Sequence, residues 1–203
     1  MKNSFAQALL LVIASTLAQG TSRAEPANSL NLGIGGLNPM PHCDARVYTL
    51  EYEHHLTPTV AILGRGSGVD YTDDASDYLE EGKLRGLDVG ARYYRAGRMQ
   101  GFYSGASLGY WVNDWTFIQN RSTPEQGEGE ADSHSLRLNF DLGYRLPLGD
   151  TNVALMPKVN LGKFFSSSSC NYTAPASRVG APCDQKSEVN NYIFAGVTLG
   201  FAF

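Results

Sequence analysis

The sequence has little of what many functional classes require. It holds three cysteines and four histidines, too few for the spaced Cys/His pairs of a zinc module. Bases are scarce as well, 16 against 20 acidic residues. That balance has the wrong sign for a chain that neutralises nucleic-acid phosphates, so no nucleic-acid partner is expected. Beyond residue 24 no apolar run reaches the roughly 18–20 residues of a membrane helix. Nor does any segment there show an apolar stripe at helical spacing. Intrinsic disorder is excluded by composition, because 42% of the residues are hydrophobic and 11% aromatic. No cofactor-binding motif is present and no cofactor is expected.

What is present begins with a leader. Met1–Ala24 has a positive start at Lys2 and a mostly apolar run Ala6–Ala18. Small residues Ser22 and Ala24 then precede Glu25. This is the three-part form of a secretory signal. Cleavage after Ala24 is the reading adopted and cleavage after Ala18 the alternative. The expected organisation is therefore 1–24 as signal peptide and 25–203 as one domain.

The dominant pattern beyond the leader has period two, apolar residues alternating with small or polar ones. Eight runs are read: Ser29–Leu37, Arg46–Leu56, Thr59–Asp70, Leu84–Arg95, Gly101–Thr116, Ser135–Pro147, Asn152–Phe164 and Asn191–Phe203. The sixth is the clearest. Leu136, Leu138, Phe140, Leu142, Tyr144 and Leu146 oppose Arg137, Asn139, Asp141, Gly143 and Arg145. A soluble sandwich would alternate too, but three features favour a membrane barrel. Connections alternate between short (55–58, 96–100, 148–151) and long polar ones (38–45, 71–83, 118–134, 166–188), as in up-and-down barrels. The apolar faces carry almost no charge, consistent with hydrocarbon's penalty of about 2–4 kcal/mol per midplane charge. Aromatics gather in two girdles, Tyr52, Tyr93, Phe102, Tyr144, Phe201 and Phe203 at one end, and Tyr48, Tyr110, Trp111, Trp115 and Tyr192 at the other. The expected fold is all-β, an eight-stranded antiparallel up-and-down transmembrane β-barrel.

On these runs the chain resembles the small eight-stranded outer-membrane barrels, such as the OmpA transmembrane domain, OmpX and the opacity proteins. Gly196–Phe203 resembles their terminal strand, whose final Phe is an assembly-machinery signal. The resemblance implies a Gram-negative outer membrane, with outer-membrane lipid, lipopolysaccharide and, through Phe203, the assembly machinery as partners. It is architectural and implies no activity. Pro157 departs from the pattern: it sits mid-run, and a closed barrel has no edge to excuse its missing N–H. A bulge or a shifted strand is the expectation there.

An eight-stranded barrel is just wide enough to be filled by side chains. The inward set reads Glu51, Glu53, Asp88 and Asp141 against Arg65, Arg92, Arg137, Arg145 and Lys158, a plug of paired charges. The main reading is therefore a non-enzymatic structural or surface-interaction protein, with a narrow ion channel as one alternative. A lipid-A-modifying hydrolase is the other. It rests on Asp132, Ser133 and His134, the residue types of an acid–His–Ser relay. Adjacent strand residues point to opposite faces, which opposes that relay, and the segment lacks the His-x-Ser-Asn arrangement of lipid-A deacylases. Asp70, Asp74 and Glu81 fall at ligand positions of a calcium-loop template, although Ala75 stands where the template needs Gly. The solvated acidic loop is the preferred reading. Cys170 and Cys183 are the candidate disulfide, whose short closed loop is worth about 3 kcal/mol in the entropy model. Cys43 is left over and competes for either partner.

Overall fold

The structure is a computed structural model and describes residues 27–37, 43–97, 99–119, 127–172 and 189–203. Eight strands make it up: β1 (Asn28–Leu37), β2 (Cys43–His55), β3 (Val60–Ala75), β4 (Tyr78–Tyr94), β5 (Gly101–Gln119), β6 (Gly127–Pro147), β7 (Val153–Tyr172) and β8 (Val189–Ala202). Each pairs antiparallel with its chain neighbour, and β8 closes on β1 to form a barrel. Closure is completed by a reciprocal backbone pair, Asn28 N–H to Phe203 O at 3.0 Å and Phe203 N–H to Asn28 O at 2.9 Å. No edge is left to template aggregation.

Alternation sorts the side chains between two solvents. Outward, Leu87, Val89, Leu108, Phe140 and Ile193 are exposed. Inward, Glu51, Glu53, Asp88, Arg92, Asp141, Arg145 and Lys158 are buried. A chain in water would reverse this arrangement. With the charged set sealed inside, the exterior must meet hydrocarbon.

Strand length shows where hydrocarbon stops. A tilted strand crosses a bilayer in about 9–11 residues, yet β4, β5 and β6 have 17, 19 and 21. On β6 the outward residues are apolar from Leu146 to Leu136, then become His134, Asp132, Glu130 and Glu128. The remaining length therefore projects beyond the membrane at the end away from the termini. This corrects two expectations. The expected long loops at 71–83 and 118–134 are largely paired sheet. β3 and β4 stay in register from Val60↔Tyr93 to Ala75↔Tyr78, and β5 and β6 pair out to Gln119↔Gly127. Polarity led these segments to be read as loops, but it reflects a change of solvent around continuous strands.

Pro157 is accommodated without the expected bulge or shift. The β6–β7 register is the same at Gly143↔Lys158 and at Leu146↔Leu155, with two pairings missing between. Pro157 still pairs with Val197 on the other side. The missing N–H is thus absorbed as a local gap in one ladder.

Candidate functional site

The barrel axis is filled from the terminal end upward. Glu51, entirely buried, accepts from Arg65 Nε at 2.7 Å, Arg92 Nη2 at 3.1 Å and Lys158 Nζ at 2.5 Å. Arg92 also reaches Asp141 Oδ2 from Nη2 at 2.6 Å and Nε at 3.0 Å, and it contacts Glu53. Glu53 further accepts from Tyr94 Oη at 2.7 Å and Asn31 Nδ2 at 3.2 Å. Arg145 lies 3.9 Å from Glu53 and donates to Ser29 at 3.3 Å. Tyr103 stacks under the Arg92 guanidinium, 4.3 Å from its ring centre. These side chains come from β1, β2, β3, β4, β5, β6 and β7, so the network ties the wall together across its bore.

Above this network lies an aromatic lid of Trp111, Tyr192 and Phe194, with Phe164 against it. The Arg137 guanidinium sits 4.4 Å from the Trp111 ring centre and 4.9 Å from that of Tyr192. Trp111 Nε1 donates to Asp88 at 3.2 Å, and Tyr192 Oη to Asn139 at 2.6 Å. Inward glycines make room for the rings. A Cβ at Gly86 would stand 2.2 Å from Trp111, and one at Gly162 would stand 2.2 Å from Tyr192. Trp111 and Tyr192 are therefore corrected from the expected outer girdle to the interior. Parity could have placed them, since each adjoins an outward residue, Tyr110 or Ile193. Tyr48 and Tyr110 do face outward, and Trp115 is half-buried on the inward parity.

Outside, the projecting sheet forms a charged collar. One mixed row, Arg85, Val112 and His134, separates the apolar row Leu87, Tyr110 and Leu136 from a charged one, in which pairing sets Arg46 beside Asp70, Asp70 beside Lys83, Lys83 beside Asp114, and Asp114 beside Asp132. The next row aligns Asp44, Thr72, Glu81, Thr116 and Glu130. These residues line an open groove of about 700 Å³. On the inner face of the projection, Tyr71 Oη donates to Glu80 Oε1 at 2.6 Å, Tyr78 donates to Oε2, and Asn113 Nδ2 donates to Tyr71 at 3.2 Å. Burial pushes both phenols well above the ordinary tyrosine range, and the Glu80 carboxylate raises them further.

The sequence-derived site residues are distributed over this frame. Asp132 and His134 face outward, His134 Nε2 lying 4.0 Å from Asp132 and its Nδ1 lying 2.7 Å from Tyr110 Oη. Ser133 is buried on the other face, so the structure does not bring Ser, His and acid together. Asp70 and Glu81 line the groove, while Asp74 sits by the β3–β4 turn opposite Leu79. Among the described residues no three His, Cys, Asp or Glu side chains are grouped to hold a metal ion. Cys183 lies outside the described residues, as do the side chains of Cys170 and Cys43, so the disulfide falls there too.

Comparison with solved structures finds the same architecture. The chain is similar to a major outer membrane protein from Thermus thermophilus, with 14% identity, TM-score 0.53, and coverage of 87% of this chain and 98% of that one. It is also similar to Acinetobacter baumannii CarO2, with 13% identity, TM-score 0.50, and coverage of 90% and 100%. The chain is an outer-membrane-type β-barrel. Its apolar exterior and sealed charged axis are independent physical grounds for that statement. Neither the comparison with family models nor that with curated proteins finds a match.

Proposed function

We propose that the protein is a non-enzymatic barrel of the Gram-negative outer membrane whose collar engages lipopolysaccharide headgroups. The observation that carries this reading is the charged row that follows the last apolar row after a single mixed one. Lys83 and Arg46 stand there among Asp70, Asp114 and Asp132, with Arg85 in the mixed row below, at the height where a lipid's phosphates meet water. The bases pair with phosphates directly. The adjacent carboxylates Asp114 and Asp132 do not make a metal site by themselves, but share divalent cations with the lipid, whose phosphate oxygens complete an oxygen coordination shell. Sheet-held side chains lose little freedom on contact, which favours binding by a preformed surface. The closed terminal strand, ending at Phe203, is the proposed assembly-machinery signal. The plugged axis supports a structural role over a channel.

The test is lipopolysaccharide retained by the detergent-purified protein in magnesium and after chelation. Retention is expected to fall on chelation, and further in Lys83→Glu. Asp114→Asn with Asp132→Asn is expected to remove the magnesium dependence. Equal retention in all cases would refute the collar as a lipid-binding surface.

A further inference from the structure

At the end opposite the collar the barrel opens into a bowl of about 510 Å³. The turns after β2, β4 and β6 all contribute to its wall, together with Ala27 and Ala202 beside the Asn28–Phe203 pair. Leu56 and Pro58 give the wall apolar surface, and Gln100 and Asn152 present exposed side-chain amides. None of the described residues lining the bowl is acidic. One guanidinium belongs to the lining, that of Arg145, which is 2% exposed and sits at the floor.

Arg145 is also the most loosely held cation of the axis. Arg65, Arg92 and Lys158 each meet a carboxylate, at 2.7 Å, 2.6 Å and 2.5 Å. For Arg145 the recorded carboxylate is Glu53 at 3.9 Å, beyond hydrogen-bond reach. Glu53 already accepts from Arg92, Tyr94 and Asn31, and Arg145 donates to the neutral Ser29 hydroxyl at 3.3 Å. Among the described residues five buried cations face four buried carboxylates, so one positive charge lacks a counterpart. A second observation falls on the same wall. Met99, buried in the bowl's lining, has φ of 51°, and it alone among the described non-glycine residues has a positive φ. Left-handed backbone is costly for a bulky side chain, and such strain gathers at ligand clamps.

We propose that the bowl binds the free carboxylate end of a short peptide, its carboxylate on the Arg145 guanidinium and its backbone amides on Gln100 and Asn152. A planar carboxylate suits the guanidinium fork. Side-chain amides match both the N–H and the C=O of a peptide. The bowl is far larger than a carboxylate alone and falls within the range of small-ligand pockets, about 300–1,000 Å³. It lies at the other end of the barrel from the collar, so this proposal and the lipid reading fail independently.

The test uses the purified full chain in detergent with isotope-labelled methionine methyl groups, titrated with N-acetyl-alanyl-alanine at fixed pH and ionic strength. The Met99 methyl resonance, assigned with Met99→Leu, is expected to shift and saturate. The same dipeptide with its C-terminus amidated loses a charge-assisted contact and is expected to bind about tenfold more weakly. Arg145→Gln is expected to erase the difference between acid and amide. Should that variant fail to fold, the two dipeptides compared on the unsubstituted chain decide alone. No shift at Met99, equal binding of acid and amide, or an unchanged difference in Arg145→Gln would each overturn the proposal. Acetate acting at the same concentration as the dipeptide would show an adventitious ion only, and would overturn it too.

Discussion

Glu51→Gln is the sharpest probe of the sealed axis. The Glu51 carboxylate is fully buried and meets three cations, at 2.7 Å (Arg65), 3.1 Å (Arg92) and 2.5 Å (Lys158). Glutamine keeps the shape but removes the charge, and it turns one oxygen into a donor among donors. Removing one partner of a buried pair costs about 3–5 kcal/mol, mainly because the other charge stays buried without compensation. Arg92 retains Glu53 and Asp141, and Arg65 retains Asp141 at 3.8 Å. Among the described residues Lys158 pairs with no other carboxylate, so most of the loss is assigned to it. At about 2–4 °C per kcal/mol for a chain of this size, the unfolding midpoint should fall by roughly 6–20 °C. The assay is temperature-dependent loss of the folded, faster-migrating species on detergent gels, checked by circular dichroism. Adding Lys158→Met to Glu51→Gln removes the stranded ammonium and should recover a large part of the loss. A Glu51→Gln loss below about 1 kcal/mol, the value of a solvated surface pair, would refute a dry, coupled axis. So would failure of Lys158→Met to restore anything.

Gly86→Ala places a Cβ 2.2 Å from the Trp111 ring. It should cost about 1–3 kcal/mol through overpacking and change near-ultraviolet circular dichroism; an unchanged spectrum and midpoint would refute the lid packing. Tyr71 and Tyr78 are held neutral by burial and by donation to Glu80, so absorbance titration should show both phenols ionising above the ordinary tyrosine range. Because their folded pKa values are raised, the stability they contribute is intact below the ordinary tyrosine pKa, about 10. It is lost as pH rises through the folded values, and Glu80→Gln should bring both ionisations down. In planar bilayers the protein should pass no steady current, since Arg92 and its three carboxylates cross the bore; reproducible ohmic steps would refute the seal.

Much of the interior was legible because a strand's period leaves only two faces. One apolar face, such as Leu136 to Leu146, fixes the identity of everything between. All nine charges assigned inward from alternation are buried, including Arg65 on a strand whose glycines blur the pattern. The errors arose where a second criterion displaced parity. Trp111 and Tyr192 were grouped with the girdle for their aromatic character, although their neighbours already pointed outward. The boundaries of β3 to β6 were set by polarity, which marks solvent and not backbone. Which carboxylate meets which cation was not legible, because that depends on register across strands far apart in sequence, as for Arg92 and Asp141.

The same boundary error bears on how the outer surface works. A loop of ten polar residues would present its charges as a fluctuating ensemble and lose that freedom on each contact. Strands that continue past the membrane keep neighbouring charges at the interstrand spacing of about 4.7–4.9 Å. Lys83 is thus fixed between Asp70 and Asp114 by backbone pairing on both sides. A regular array of this kind suits repeated headgroups packed side by side in a leaflet better than one irregular ligand. If that is correct, a substitution that frays the projecting sheet without touching a charge should weaken lipid retention as much as a charge change does. Thr72 and Thr116 flank Glu81 in the upper row, and Thr72→Pro removes a backbone donor there. Lost retention with an unchanged unfolding midpoint of the membrane-embedded part would show that rigidity of the collar contributes to binding. Unchanged retention would show that the charges suffice however they are held.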